Sequence, residues 1–511
     1  MKRLIAYSLT LLIMFGFLTS CKKQNDSEFI YYLDKEPITL DPQTVSDKSG
    51  EFMVLNLFEG LLSLTEDGEV VPAAAESYSY DKLTHTYTFL LKDNLLWADG
   101  RELTSDDFVF AFRRLLSPET KAPYADLYFS IKNAKEVLSG EKLPFELGVS
   151  SEGKNVLKIS LLSEDADFLR YLTYPAAMPC NEEFFLSTKG RYGLEYDAVL
   201  TNGPFHITSW SHNSTASLKR NENYHLSDTV PASLSIVIDE DKDLSASRFS
   251  EDSNDALKTD VMQNNFTDKN SNIRVIPNNY TGILFNTESP FFSNKDLRKA
   301  LSLSFDRESY KKALPINSEI DNKFIFSENA LYLYNQASAK DALSEAEQFI
   351  KKEETNKIKI ISLEGSNDKE LISYAVQVWQ RDLGVFFGIT ELSENDYNAA
   401  LKNGDYDAAI VSYDVKQDNG VTILNSFSSS SNLNYSNFNN EGYDTTLLDY
   451  KSSNSENEAA VYLKYAKEYL ANEVIYIPAY QSYSYIYKQK NIKNLYYNPE
   501  FSIFYFGKAE K

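Results

Sequence analysis

Histidine and cysteine are scarce in this chain: four and two among 511 residues. The four histidines, His85, His206, His212 and His225, have no second histidine or cysteine at i+3 or i+4, and a conventional catalytic triad has little to build on. Gly-x-Ser-x-Gly, His-Glu-x-x-His and Cys-x-x-Cys are all missing. Positive charge is also short, with 51 Lys+Arg against 74 Asp+Glu, a net charge of −23. A surface of that sign neutralises no phosphate backbone and is not drawn to anionic lipid, which excludes a nucleic-acid partner. What the chain has in excess is aromatic surface, 35 Tyr and 31 Phe, suited to packing and stacking rather than to acid–base or metal chemistry. Hydrophobic residues at 42% and charged ones at 24% are ordinary globular usage, so wholesale disorder is excluded. The length suggests roughly three domains or one large multi-lobed body.

The N-terminus reads as an export signal. Lys2 and Arg3 precede an apolar run from Leu4 to Phe17, too short to span a bilayer, followed by Leu18-Thr19-Ser20-Cys21. The last four residues resemble the bacterial lipobox, in which the cysteine is acylated and becomes the mature N-terminus. That resemblance implies an exported protein tethered through lipid on Cys21, facing the periplasm or cell exterior. Residues 1–20 are then the signal peptide and 21–28 a polar tether, and removing two cations leaves the mature chain at −25. With Cys21 acylated, Cys180 has no disulfide partner and is expected to be a buried, inert thiol.

Short β-branched or aromatic runs predict strands over Glu28–Leu33, Thr86–Leu91, Asn155–Leu161, Ser233–Asp239, Thr281–Asn286, Lys357–Leu363 and Asp407–Tyr413. Thr104-x-x-Asp107 predicts a capped helix ending before Ser117-Pro118, and Ser293-x-x-Asp296 another. Leu371, Ala375, Val378 and Trp379 mark a third, closed near Gly384, and residues 457–472 a fourth. The polar stretches 239–272 and 426–440 read as surface excursions. Two motifs come close to chemistry. Gly148 to Asn155 has phosphate-loop spacing, but Asn155 stands where Ser or Thr would hold Mg²⁺ and a strand follows, so a turn between strands is expected. Asp239-Glu-Asp241-Lys-Asp243 imitates half a calcium loop, but Leu244 and Ser250 occupy the glycine and bidentate glutamate positions, leaving a solvated acidic turn.

An ordered set of segments carries a family resemblance. It comprises Ile38-Thr39-Leu40-Asp41-Pro42, Asn56 to Leu62 (NLFEGLL), Val71 to Ser77 (VPAAAES), Trp97-Ala98-Asp99-Gly100, Thr201-Asn202-Gly203-Pro204-Phe205, and Leu297 to Leu301 leading to Asp306-Arg307. In order from about residue 28 to 490, these resemble the bacterial extracellular solute-binding proteins, family 5, in the oligopeptide-binding branch that serves ABC importers. The motifs themselves read as turns: Gly100 for a positive φ above Trp97, and Asn202-Gly203-Pro204 for a tight turn into a buried strand.

The resemblance implies an α/β, two-lobed periplasmic-binding-protein-like fold of type II, the large class with an extra domain on lobe one. Lobe I would comprise 29–58, 176–282 and 479–511, the extra domain 59–175, and lobe II 283–478. It further implies a monomer that is not an enzyme and has no cofactor or metal. Such a protein captures an extended oligopeptide between the lobes as an added strand and delivers it to permease and ATPase subunits. The ligand-binding residues implied are Ser46, Asp47, Tyr124, Asn279, Tyr280, Gly282, Tyr397 as a cleft-lining aromatic, and the strand Ile410, Val411, Ser412, Tyr413 and Asp414. The family's acid for a peptide's amino group falls on Lys416, flanked by Asp414 and Asp418; a lysine there would repel an ammonium. Either neighbouring aspartate takes the role, with Asp418 favoured, or another acid such as Glu51 or Glu59 substitutes, or no free amino terminus is recognised. Dipeptides, oligosaccharides or metal chelates are alternative ligands, and peptide sensing without import is an alternative role.

Overall fold

The computed structural model describes residues 24–263, 271–315, 317–325, 333–346, 358–366, 368–415, 420–453 and 455–511. Glu28–Leu33, where exposed and buried positions mix along an aromatic-rich run, pairs in parallel with Ser233–Ile238. Thr215–Arg220 and Phe205–Ser211 complete a four-stranded sheet by antiparallel pairing. A second four-stranded sheet, Ala75–Asp81, Thr86–Leu91, Val156–Ser160 and Val149–Glu152, is wholly antiparallel. Beside it lies the helix Ser105–Leu115, opened by the Thr104/Asp107 capping box. Both sheets feed one hydrophobic cluster that also takes in the C-terminal residues Leu495, Phe501, Phe504 and Phe506. The first and last described segments meet here: the Lys511 backbone N–H donates to Ser27 Oγ at 2.8 Å, and Asn25 Nδ2 to the Ala509 carbonyl at 2.7 Å.

The largest sheet runs in the order Ala256–Thr259, Tyr476–Gln489, Ser271–Phe285, Ala408–Asp414, Lys359–Leu363, Gly388–Leu392, with Ser318–Ile320 added against Tyr476–Gln489. Its central strands are buried on both faces, and alternate side chains serve different clusters. Ile283, Ile360, Ala408, Ile410 and Ile477 pack against the helices Lys295–Ser304 and Asp368–Leu383. Leu284, Ile361, Ala409, Val411 and Tyr476 pack against Glu394–Asn403, Glu441–Lys451 and Glu456–Glu473. The result is a two-lobed α/β molecule in which Ser271–Phe285 and Tyr476–Gln489, 15 and 14 residues long, run from one lobe into the other. At about 3.3 Å per residue each spans roughly 50 Å, enough to serve both. Ile276 and Ile486 belong to the first cluster, Ile283 and Ile477 to the second. Between them the register shifts at Pro277/Tyr280, where proline contributes no N–H, so the crossing is marked by a bulge between the two long strands.

Several local expectations hold in detail. Gly100 has φ +87° above a fully buried Trp97, and the phosphate-loop look-alike is a hairpin between Val149–Glu152 and Val156–Ser160. Cys180 is fully buried. Two expectations are corrected. The helix at Lys295 is capped by Asn294, whose side chain accepts from the Leu297 N–H, rather than by Ser293. The segment 239–272 is no simple excursion: Asp241 caps a helix, Lys242–Ser250, and Ala256–Thr259 joins the large sheet. Among the described residues no helix is long and apolar enough to cross a membrane.

Candidate ligand-binding cleft

One wall of the cleft is the strand Ala408–Asp414. Along its full length it pairs with Asn279–Phe285, from Asn279↔Asp414 to Phe285↔Ala408. On its other edge Lys359–Leu363 covers only Ala408 and Ala409. Asp407 O accepts from Asn286 N, and Val415 N donates to Asn278 O, both toward the crossing strand. A residue's N–H and C=O share one side of a strand, so odd-numbered residues face the crossing strand and Ile410, Ser412 and Asp414 face away from it. The Tyr397 hydroxyl donates to the Ile410 carbonyl. Ser412 and Asp414 therefore direct main-chain groups to an edge that no strand covers among the described residues.

The side chains brace this strand from behind. Ile410 and Val411 are buried. Tyr413 packs against Phe324, Phe427 and Tyr476, and the Tyr476 hydroxyl donates to Val411 O at 3.0 Å. Ser412 and Thr281 hydroxyls meet at 2.7 Å. Asn279 and Tyr280 lie on the crossing strand at the bulge, and the Asn279 N–H donates to Ser482 Oγ. Gly282 is required by close approach: a Cβ there would lie 2.3 Å from the Ile477 carbonyl oxygen. Tyr397, expected as a cleft-lining ring, is instead a core residue, because its aromatic face is buried among the helices behind the strand and only its hydroxyl reaches forward. Lys416, Asp418 and Cys21 lie outside the described residues.

The opposite wall is the N-terminus of the helix Lys48–Leu57. Asp47 caps it, accepting from Gly50 N at 2.8 Å, and Ser46 precedes it on the surface. Glu51, in the first turn, is buried at 5% exposure; its Oε1 accepts from the Tyr124 hydroxyl at 3.1 Å. Burial, with Glu51 alongside, pushes the Tyr124 hydroxyl well above its ordinary pKa and keeps it a donor. Lys48 crosses the gap. Its Nζ lies 3.1 Å from Asp414 Oδ2 on the facing strand and 3.7 Å from Glu51 Oε2. Desolvation opposes its charge, but Glu51 and Asp414 together outweigh that and hold its pKa above the usual lysine value. A pocket of about 190 Å³ opens beside it, lined by Tyr32, Asp34, Lys48, Lys258, Asp260 and Ser502. Burial lowers the Lys258 pKa, and its Nζ donates to Asn278 Oδ1 at the bulge.

The walls also touch away from the strand. Tyr450, on Glu441–Lys451, donates its hydroxyl to Asp167 Oδ1 at 2.7 Å, and Ala166 N donates to Lys451 O at 2.9 Å. The expected residues Ser46, Asp47, Tyr124, Asn279 and Ser412 to Asp414 thus come to one region. Lys48 joins it without having been among them, and Glu51, offered by the sequence only as a substitute acid, stands beside it; Asp167 and Tyr450 form a separate contact between the walls. Lys48 and Glu51 carried a weak signal, one turn of helix after Asp47; the Tyr450–Asp167 contact carried none, being purely tertiary. A larger cavity, about 830 Å³, lies elsewhere: its lining, including Phe58, Glu59, Tyr224, Tyr496 and Tyr505, comes from the first lobe and the adjoining end of a crossing strand.

Residues 69–435 match the model of the bacterial extracellular solute-binding proteins, family 5 Middle. The chain is 26% identical over 501 residues to the dipeptide-binding protein DppE of Bacillus subtilis (strain 168), covering 93% of this chain and 89% of that one. Its fold matches the substrate-binding domain of an oligopeptide ABC transporter from Bacillus anthracis at TM-score 0.76 and 25% identity, over 95% of this chain and 99% of that one. It also matches Haemophilus influenzae OppA in complex with the peptide RPPGFSPFR at TM-score 0.79 and 22% identity, with 95% and 99% covered. A cleft between two lobes, an uncovered strand edge along one wall and a family match over most of the chain agree: the protein belongs to the bacterial extracellular solute-binding proteins of family 5, which are binding proteins and not enzymes.

Proposed function

We propose that this protein is the lipid-anchored substrate-binding subunit of an ABC importer, capturing extended oligopeptides between lobes I and II and delivering them to the permease. The uncovered edge at Ser412 and Asp414 carries the reading. A peptide laid along it gains main-chain hydrogen bonds whatever its sequence, the economy of strand addition. Asp47, Tyr124 and the pocket beside Lys48 supply the facing wall. Lobe closure then buries the ligand, with 29–58, 176–282 and 479–511 moving against 283–478 about the bulge at Pro277. Native mass spectrometry of protein purified from cells should release short peptides on denaturation, and calorimetric titration with peptides of two to eight residues should show a length optimum. Binding of cello-oligosaccharides but of no peptide in that series would refute the reading. Cys21→Ala should move the protein to the soluble fraction; unchanged membrane retention would remove the lipid anchor from the proposal.

A further inference from the structure

The first lobe holds a cavity of about 830 Å³ that the cleft does not use, with Pro72, Leu226 and Lys508 exposed at its mouth. Small-molecule sites run from roughly 300 to 1,000 Å³ and are mostly apolar with a few fixed polar groups. Leu62, Leu64, Met178 and Ile503 supply buried apolar lining. Tyr496 and Tyr505, register partners on the C-terminal hairpin, add two rings with centroids 5.2 Å apart. Into this lining comes a carboxylate. Asn202 clamps the Glu59 main chain, accepting from its N–H at 3.1 Å and donating to its carbonyl at 2.8 Å. The Tyr224 hydroxyl donates to Glu59 Oε1 at 2.6 Å, and the His225 ring donates through Nε2 to Oε2 at 2.8 Å. The Glu59 side chain is 12% exposed, and these partners are a phenol and an imidazole rather than a lysine or arginine. Three lysines also line the cavity, but Lys92 and Lys488 donate to the Ala73 and Leu495 carbonyls, and the exposed Lys508 shares the mouth with Glu66 and Glu510.

We propose that this cavity is a second ligand site, separate from the cleft, for a compact organic cation: an ammonium group carried on an aromatic or aliphatic body. Charge complementarity decides the class. A carboxylate sheltered from water and held in place by side-chain donors keeps free lone pairs, and it gains most from a cation that excludes water as it arrives. Phenol rings favour the same charge, because the face of an aromatic ring attracts cations. Tyr224 and Tyr505 stand beside Glu59, and burial pushes both hydroxyls well above the ordinary tyrosine pKa, so neither competes as an anion. An anionic ligand would meet Glu59, and a sugar would leave the leucine and methionine walls unmatched. The site stands apart from the peptide-binding reading, since no residue of the cleft strand Ala408–Asp414 lines it.

The test titrates benzyltrimethylammonium and, as the uncharged comparison, benzyl alcohol calorimetrically into the full protein. The cation should bind about ten-fold tighter than the alcohol. Glu59→Gln, nearly isosteric, should remove that preference. Val71→Trp places bulk in the cavity from a half-buried position and should weaken both probes together. Melting curves show that each variant is folded, and where Glu59→Gln is not, Val71→Trp decides. With the pentapeptide Ala-Ala-Phe-Ala-Ala amide present in excess, the affinity for the cation should stay as it was. Equal affinities for the two probes, displacement of the cation by the peptide, or cation binding that survives Val71→Trp would overturn the second site and leave peptide binding standing. Failure of the pentapeptide itself to bind would count against the peptide reading alone.

Discussion

The contact between Tyr450 and Asp167 offers a direct handle on lobe closure. Both residues are nearly inaccessible, at 6% and 7% exposure, and the hydroxyl lies 2.7 Å from a carboxylate oxygen. Tyr450→Phe removes that bond while keeping the ring on the helix Glu441–Lys451. A hydrogen bond to a charged group contributes about 1.5–3 kcal/mol net. When the lobes part, Asp167 and the tyrosine are both hydrated, so the open state loses nothing and the whole difference falls on the closed one. At 1.4 kcal/mol per decade, the closing equilibrium should shift toward open by about 10- to 100-fold. Closure is not abolished, since the Ala166–Lys451 backbone bond remains. If ligand is held in the closed state, the dissociation constant weakens by the same factor. Titration calorimetry with a peptide ligand measures that shift, and small-angle scattering of the ligand-free variant should show a larger radius of gyration than wild type. An unchanged affinity together with a lowered melting temperature would show that the bond stabilises the fold and not the closed state, and would refute the reasoning.

Further outcomes follow from the first lobe. Arg114 pairs with Asp41 through two nitrogens, at 2.6 and 3.2 Å, with both side chains buried; Arg114→Met leaves that carboxylate uncompensated and should cost about 3–5 kcal/mol in urea denaturation. Asn202 brackets Glu59 through its amide while Gly203 lies against the preceding backbone, where a Cβ would stand 2.7 Å from Phe58; Gly203→Ala should cost about 1–3 kcal/mol by the same assay. Burial pushes the Cys180 thiol up to about 12, so it should resist a thiol reagent near pH 8 in the folded protein and react once urea unfolds it. His212 is raised above 6.5 chiefly by its hydrogen bond to Glu36 at 2.7 Å. A raised folded value stabilises below the unfolded pKa and fades as pH rises through the folded one, so His212→Gln should lower the melting temperature near pH 5.5 and leave it unchanged near pH 9.

Local signals made the edges of the fold legible. Glu28–Leu33 and Thr86–Leu91 occupy the residues that composition suggests, and the Thr104/Asp107 box opens its helix in both readings. The long crossing strand was only partly visible, as Thr281–Asn286. Its first half, with Pro277 and two asparagines, reads locally as a loop and becomes strand because Tyr476–Gln489 pairs with it. Asn294 displaced Ser293 as a cap by one residue, a choice decided by where the preceding turn delivers the chain. At the cleft, the strand Ala408–Asp414 was legible as a strand and, through family resemblance, as a wall. Its uncovered edge was not, since coverage depends on where Lys359–Leu363 stops. Tyr397, which the resemblance placed on the cleft lining, is turned inward by its helix to pack with Ala400 and Leu401 in the core.

The second lobe contains neither end of the chain. Ile283 and Ile477 of its core are register partners, and toward the first lobe Ile276 faces Ser484 across the same two strands. In the grammar of chain topology it is a parenthesis: opened by one strand, closed by its neighbour, removable without moving either terminus. A short turn joining Ile276 to Ser484 would turn the ribbon into an ordinary hairpin and leave a first lobe whose Ser27 and Lys511 still meet. Whatever holds Ser27 holds that lobe, and the enclosed one is the part left to swing.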